Sequence, residues 1–149
     1  RTVAAAVHVP TLSETFTAEL GGGAFLNDLR GRQQLAASGA TDLSRALIGT
    51  GFAYDEEVRA RQGPIVGRLV SRVRDIRRGG AASVDLCAVA AGRLDGFFEH
   101  GLEPWDLAAG ALNAAEAGAK VYERAGGTTV AVGPGIADAL DSLLTELGD

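Results

Sequence analysis

The sequence predicts a layered α/β fold, and two observations support this prediction. Short strand-like runs alternate along the chain with stretches of helical length, as they do where sheets and helices pack in layers. The first 40 residues predict an antiparallel meander or a pair of hairpins. Its strands are expected at Val3 to Val9, Thr15 to Leu20 and Ala24 to Asp28, and Gly21 to Gly23 supply the positive φ angles of a bulged turn.

A boundary is predicted after this meander. The residues from Ser38 to Asp42 are small and polar, as is typical of a seam between two units. We therefore expect one unit over residues 1–40 and an α/β unit over residues 41–149. The second unit begins with a short buried strand within Leu43 to Phe52.

The middle of the chain predicts two helices and two strands. A helix is expected from Asp55, because acidic residues fill its first turn and basic residues follow, although Gly63-Pro64 should kink or split it. A strand is expected at Arg74 to Arg77. The run that follows it has a face of small residues suited to close helix packing, and Gly92 should cap that helix.

The last part of the chain repeats this alternation. Its predicted elements are a strand at Leu94 to Glu99, a second helix of small residues ending near Gly118, strands at Lys120 to Tyr122 and Thr129 to Val132, and an amphipathic helix from Pro134 or Gly135 to Leu147.

Charge excludes one class of protein. A net charge of −5 and an isoelectric point near 5.0 argue against a sequence-independent nucleic-acid binder, which needs a basic face. Basic residues do cluster from Arg68 to Arg78. We interpret them as a solvated helix face, or otherwise as an anion or subunit contact.

The single cysteine and the hydropathy indicate where the protein works. Cys87 lies in an apolar run and has no partner for an internal disulfide, which favours a buried thiol in a reduced, cytoplasmic protein. No stretch approaches the ~20 apolar residues of a membrane span, and no signal peptide is visible. The chain starts at Arg1 and contains no Met, so we expect a fragment, or the ordered part, of a longer protein.

The stretch from Leu94 to Gly110 carries the candidate chemistry. It places Glu99 and Asp106 at a turn from a strand to a helix. Pro104 ends any earlier helix, Asp106 is expected as the N-cap, and Trp105 should bury its ring beside the turn. A carboxylate at a helix N-terminus can hold a divalent cation through a hard oxygen ligand. The alternative is that Asp106 only caps the helix.

The residues from Arg77 to Gly118, RRGGAASVDLCAVAAGRLDGFFEHGLEPWDLAAGALNAAEAG, resemble the C-terminal signature of the inositol monophosphatase family, whose members are magnesium-dependent, lithium-sensitive sugar-phosphate phosphatases. ETFTAELGGGAFLND and ALIGTGF also resemble family segments, and the actinobacterial members are the most similar. The resemblance implies an α-β-α-β-α sandwich of the sugar-phosphatase type. Residues 1–40 would be the last strands of an incomplete N-terminal α+β domain, and residues 41–149 the C-terminal α/β domain.

The resemblance also implies roles for three residues and a cofactor. Asp106 matches the aspartate that binds the second catalytic Mg²⁺ close to the substrate. Glu99 matches the glutamate that binds a hydroxyl group of the polyol, and the amide of Ala82 matches a second hydroxyl contact. Inhibition by lithium, a homodimer and a small phosphate ester as substrate are implied as well. His100 and His8 are expected to be polar and structural residues respectively, not metal ligands.

One departure from the family divides the functional hypotheses. The other metal ligands of the family, a glutamate and the aspartates of an Asp-Pro-Ile-Asp-Gly-Thr motif, do not occur in these 149 residues. Ala81, Asn113 and Ala119 also differ from the usual residues. The substrate therefore stays open between inositol monophosphate and fructose 1,6-bisphosphate, histidinol phosphate or a nucleotide phosphate.

Three hypotheses follow. The first is a phosphomonoesterase in which two or three metal ions assist attack by water on phosphorus, with this chain alone expected to be inactive. The second is a non-catalytic homologue that acts as a dimerisation or protein-interaction module. The third is a metal-free hydrolase with Glu99 and Asp106 as acid and base, which is disfavoured because nothing else in the chain would neutralise the substrate.

Overall fold

The computed structural model describes all 149 residues and confirms the layered α/β fold. It contains two sheets and four α-helices. The strands are β1 (Ala4–Val9), β2 (Glu14–Glu19), β3 (Gly23–Asp28), β4 (Gly31–Gln34), β5 (Leu47–Thr50), β6 (Asp75–Arg77), β7 (Gly96–His100), β8 (Lys120–Glu123) and β9 (Thr128–Val132). The helices are α1 (Glu56–Leu69), α2 (Ala82–Ala90), α3 (Pro104–Glu116) and α4 (Ala137–Leu147).

The first sheet contains the predicted meander of β1, β2 and β3 and a fourth strand, β4, that the sequence did not predict; the four strands are antiparallel and adjacent in chain order. Val7 pairs with Phe16, and Phe16 pairs with Leu26, so apolar side chains stand side by side across three strands. Together with Cys87 of α2 they form a buried cluster. This face of the sheet is therefore fixed against the helices.

The second sheet has the order β6-β5-β7-β9-β8. β5 runs parallel to both β6 and β7, whereas β9 runs antiparallel to both β7 and β8. Successive residues of β7 face opposite sides: Phe97 packs in a core with Leu86 of α2, and Phe98 packs in a core with Leu140 of α4. Both faces of this sheet are thus covered by helices.

These contacts give four layers in the order sheet, helix pair, sheet, helix pair. α2 and α3 lie between the two sheets, and α1 and α4 cover the outer face of the second sheet. Gly110 lets α2 and α3 approach closely, because a Cβ atom there would lie 2.6 Å from Cβ of Leu86. The division into units at residue 40 stays a prediction.

Pro64 does not split α1, as the sequence had allowed. The helix is continuous from Glu56 to Leu69 with Pro64 inside it. Pro64 lies on the exposed side, beside Gly63, so water can hydrate the carbonyl group that loses its helical partner. Of the basic residues from Arg68 to Arg78, only Arg68 lies on α1, so the predicted helix face was wrong for the rest, which follow the end of the helix. Their side chains are exposed, as predicted, and the strand predicted at Arg74 to Arg77 is confirmed as β6.

The strand expected within Leu43 to Phe52 is shorter than predicted. Leu43–Arg45 forms a 3₁₀ turn whose N-terminus is capped by Asp42, and β5 covers only Leu47–Thr50. The predicted N-cap of α1 is confirmed, since the Asp55 carboxylate accepts a hydrogen bond from the Val58 N–H at 2.9 Å. No helix of the chain combines the length and the apolar character that crossing a bilayer requires.

Candidate functional site

The candidate site lies at one edge of the second sheet. The parallel strands β5, β6 and β7 all end at this edge, so the segments that follow them start there. A turn after β6 leads into the N-terminus of α2, and a turn after β7 leads into the N-terminus of α3. Open α/β sheets generally bind ligands at the carboxyl ends of their parallel strands.

Asp106 lies in the first turn of α3, but it is not the N-cap. The helix begins at Pro104, which makes Glu103 the N-cap and Asp106 the third residue. Its carboxylate reaches back and accepts a hydrogen bond from the Glu103 N–H at 3.3 Å, which is half of a capping box. The N-cap prediction was wrong because proline is itself favoured as the first helical residue. One oxygen of Asp106 still faces no protein donor.

Trp105 was expected to be buried, and it is 77% exposed. It follows Glu103 and Pro104 in a run of three exposed residues at the start of α3. No neighbouring element covers this turn in the chain, so the indole ring has nothing to pack against.

Glu99 is half-buried near the end of β7, on the face of the sheet that packs against α2 and α3. Its carboxylate lies over the Cα atom of Gly51, which follows β5, and any side chain at position 51 would collide with it. Burial raises the pKa of Glu99, and the negative charges of Asp85 and Asp106 raise it further, while Arg78 lowers it. Glu99 forms no ion pair within the chain.

Ala82 is the first residue of α2, and its N–H has no acceptor in the protein. The first N–H groups of a helix always lack helical partners, and the positive end of the helix dipole favours an oxygen atom there. The amide of Ala82 is therefore available to a ligand. Asp85 lies one turn further along α2, and its negative charge raises the pKa of Glu99.

Sequence reasoning missed Asp85 and Arg78. Asp85 is 7% exposed, and burial raises its pKa, while Arg78 and the amides of Gly80 and Gly79 lower it. A signal was present in the sequence, because Asp85 is the only charged residue in the apolar run VDLCAVAAG. What the sequence does not display is that this run folds back beside Glu99.

The site offers oxygen atoms to a hard cation but does not enclose one. Asp85, Glu99 and Asp106 bring negative charge together, which suits Mg²⁺. However, no three His, Cys, Asp or Glu side chains are grouped closely enough to hold a metal ion.

The remaining candidate groups lie outside the site. Cys87 is fully buried, as predicted, and burial raises its pKa to about 12, so it is no nucleophile. His8 lies in β1 with its Nδ1 atom 2.9 Å from Oγ1 of Thr15, which fits a structural role. His100 is exposed, as predicted, and its Nδ1 atom lies 3.5 Å from Oγ1 of Thr128.

Comparison with known proteins agrees with this arrangement. The model of the inositol monophosphatase family matches residues 1–147. The inositol-1-monophosphatase SuhB of Mycobacterium tuberculosis is 51% identical over 145 residues, which cover 93% of this chain and 50% of that protein. The Nus factor SuhB of Escherichia coli is 47% identical over 128 residues, which cover 85% of this chain and 46% of that protein.

Solved structures give the same result. The structure of Mycobacterium tuberculosis SuhB superposes with a TM-score of 0.93 at 50% identity, covering 99% of this chain and 60% of that one. The IMPase of Thermotoga maritima superposes with a TM-score of 0.84 at 30% identity, covering 97% and 56% respectively. The chain spans about half the length of the curated relatives that it matches. On the strength of the family match over residues 1–147 and of these relatives, the chain belongs to the inositol monophosphatase family.

Proposed function

We propose that this chain is part of a magnesium-dependent phosphomonoesterase that hydrolyses inositol monophosphate or a related sugar phosphate. The observation that carries the proposal is the position of Glu99 and Asp106 on either side of the turn from β7 to α3, at the carboxyl edge of the second sheet, where neither carboxylate forms an ion pair. Carboxylates so grouped repel one another, and a divalent cation relieves that repulsion.

Each residue has a distinct task in this proposal. Asp106 offers a hard oxygen ligand to Mg²⁺, beside the place where the phosphate group must lie. Glu99 accepts a hydrogen bond from a hydroxyl group of the polyol, and the free N–H of Ala82 donates one. Together they orient the leaving group. Mg²⁺, when bound, neutralises charge on the phosphate group and activates the attacking water.

The ligands that this chain lacks must come from elsewhere, so the activity belongs to the protein as its gene encodes it. One substitution tests both the metal role of Asp106 and the reaction. Asp106→Asn removes a negatively charged ligand and keeps the size of the side chain. We expect it to lower magnesium-dependent release of phosphate from inositol 1-phosphate by at least about 100-fold.

A matched control separates this effect from damage to the helix start. Asp138 lies in the first turn of α4, is almost fully exposed and is paired only with Lys120, at 3.3 Å. Asp138→Asn should leave turnover unchanged. Turnover near the wild-type rate in Asp106→Asn contradicts the proposal, and parallel assays with fructose 1,6-bisphosphate, histidinol phosphate and a nucleotide monophosphate identify the preferred ester.

A second candidate function is a non-catalytic interaction module. Two observations favour it: the chain holds no complete metal site, and its relative in Escherichia coli is named a Nus factor. The phosphate-release assay separates the two functions, because an interaction module shows no magnesium-dependent turnover even in the wild type, whereas a phosphatase does.

A further inference from the structure

Asp85 is a buried carboxylate that the proposed function leaves without a task. It lies in the first turns of α2 and is 7% exposed, yet no Lys, Arg or His side chain pairs with it at ion-pair distance. A buried carboxylate without a partner costs stability. The surrounding structure should therefore explain why a carboxylate occupies this buried position.

The Asp85 carboxylate is held against the turn that precedes α2. Any side chain at position 79 would collide with Oδ1 of Asp85, so the carboxylate fills the space beside Gly79. Burial raises the pKa of Asp85, and the amides of Gly80 and Gly79 lower it, so both amides favour the charged carboxylate. Gly80 has a φ angle of +96°, which favours glycine, so the turn depends on the residue at this position.

This turn determines where the amide of Ala82 points. Ala82 lies two residues after Gly80 and carries the N–H without an acceptor. The side chain of Arg78 packs against the turn at Gly80. Its Nη1 atom lies 2.8 Å from the position that a Cβ atom of residue 80 would take. Asp85 and Arg78 also both act on the charge of Glu99. Asp85 thus contacts the turn that leads to the Ala82 amide and also acts on the charge of Glu99.

We propose that Asp85 is a positioning residue of the hydroxyl-binding part of the site: it anchors the Gly79–Gly80 turn so that the Ala82 N–H and the Glu99 carboxylate face the same hydroxyl groups of a substrate. This inference rests on the proposed function of Glu99 and Ala82. Asp85 itself touches no substrate, and it takes no part in proton transfer.

Kinetics of the protein as its gene encodes it test the inference. Asp85→Ala should raise KM for inositol 1-phosphate about tenfold and change kcat by no more than about twofold, because the reacting groups stay in place. Asp85→Asn keeps an oxygen acceptor of the same shape for the two amides and should restore most of the affinity. Asp138→Ala, which removes an exposed carboxylate from the first turn of α4, should leave both constants unchanged.

Amide hydrogen exchange without substrate tests the positioning directly. In Asp85→Ala the amides of Gly79 and Gly80 should exchange about fivefold faster or more, while those of β9 keep their rates. Unchanged exchange at both glycines overturns the inference. If the wild type hydrolyses no phosphate ester, the proposed function fails, and the exchange rates still decide the role of Asp85.

A second variant covers the case in which Asp85→Ala does not fold. Gly79→Ala pushes the carboxylate out of its place and leaves Asp85 present. It should also raise KM about tenfold at a nearly constant kcat. An unchanged KM in Gly79→Ala overturns the inference.

Discussion

Two glutamates at strand ends, Glu14 and Glu99, have opposite electrostatic surroundings. Glu14 starts β2 and is 8% exposed, and the guanidinium group of Arg93 donates to both of its oxygens, at 2.6 and 2.7 Å. This pairing lowers the pKa of Glu14. Glu99, near the end of β7, has no such partner, and burial together with two neighbouring carboxylates raises its pKa.

The difference separates a structural carboxylate, Glu14, from a candidate binding residue, Glu99. Glu14 and Arg93 tie the first sheet to the end of α2, so their charges are compensated within the fold. Glu99 forms no ion pair in the chain, and the same holds for Asp85, so burial outweighs the charge of Arg78 and the pKa of each carboxyl group is raised. Groups whose charge is left uncompensated in a cleft are candidates for ligand binding, because a ligand can supply the missing charge.

The largest effect is expected when the ion pair of Glu14 and Arg93 is broken. Arg93→Ala should lower the free energy of unfolding at pH 7 by roughly 2 kcal/mol, less than for a fully buried pair because the Arg93 side chain is 40% exposed. Since the pair lowers the pKa of Glu14, its contribution is present above the ordinary pKa of glutamate, near 4.3, and is lost as the pH falls through the lowered value. Urea unfolding at pH 7 measures the loss of stability, and urea unfolding at pH 3 measures how much of that loss disappears at low pH.

Arg72→Ala is the matched control for this prediction. Arg72 also pairs with a glutamate, Glu146, but both side chains are about half exposed. Exposed pairs contribute little, so we expect no measurable loss of stability. Equal effects of Arg93→Ala and Arg72→Ala would contradict the assignment of Glu14 and Arg93 as the compensated pair.

A smaller effect of opposite sign is expected at Glu99. Glu99→Gln removes the uncompensated charge and should raise the free energy of unfolding at pH 8 by up to about 1 kcal/mol, after allowance for solvent screening. The raised pKa means that the wild type loses stability as the pH rises from the ordinary value of glutamate through the raised one. The advantage of the variant should therefore vanish below about pH 4.

The same variant should weaken substrate binding while it stabilises the fold. This combination of a more stable protein with a higher KM is what distinguishes a binding residue from a structural one. Loss of stability in Glu99→Gln at pH 8, measured by the same urea titration, would show that Glu99 is compensated by a partner and would remove the contrast with Glu14.

Local patterns predicted most of the fold. Alternating apolar residues and turn glycines gave the meander, because register and turn chemistry are local properties. The start of α3 and the effect of Pro64 on α1 were harder to predict. Pro104 and Asp106 are both good helix starters, and only the structure decides between them. Pro64 breaks a helix only where water cannot replace the lost hydrogen bond, and its exposure depends on which face α1 presents.

The sequence predicted the site residues that lie in one continuous motif. It missed the residues that only the fold brings close to that motif. Glu99 and Asp106 lie close in sequence, around one turn, so their grouping is visible in the chain. Asp85 lies in another helix, and its apolar neighbours hide its role. Trp105 shows the reverse: a large aromatic residue suggests burial, but its position in the first turn of α3 leaves it exposed.

Thermal unfolding with and without Mg²⁺ tests the central claim, that Asp106 in the first turn of α3 binds a divalent cation. A ligand that binds only the folded state raises Tm. In the protein as its gene encodes it, saturating Mg²⁺ should raise Tm in the wild type and should raise it far less in Asp106→Asn. The absence of a shift in the wild type, or an equal shift in the variant, would contradict the account.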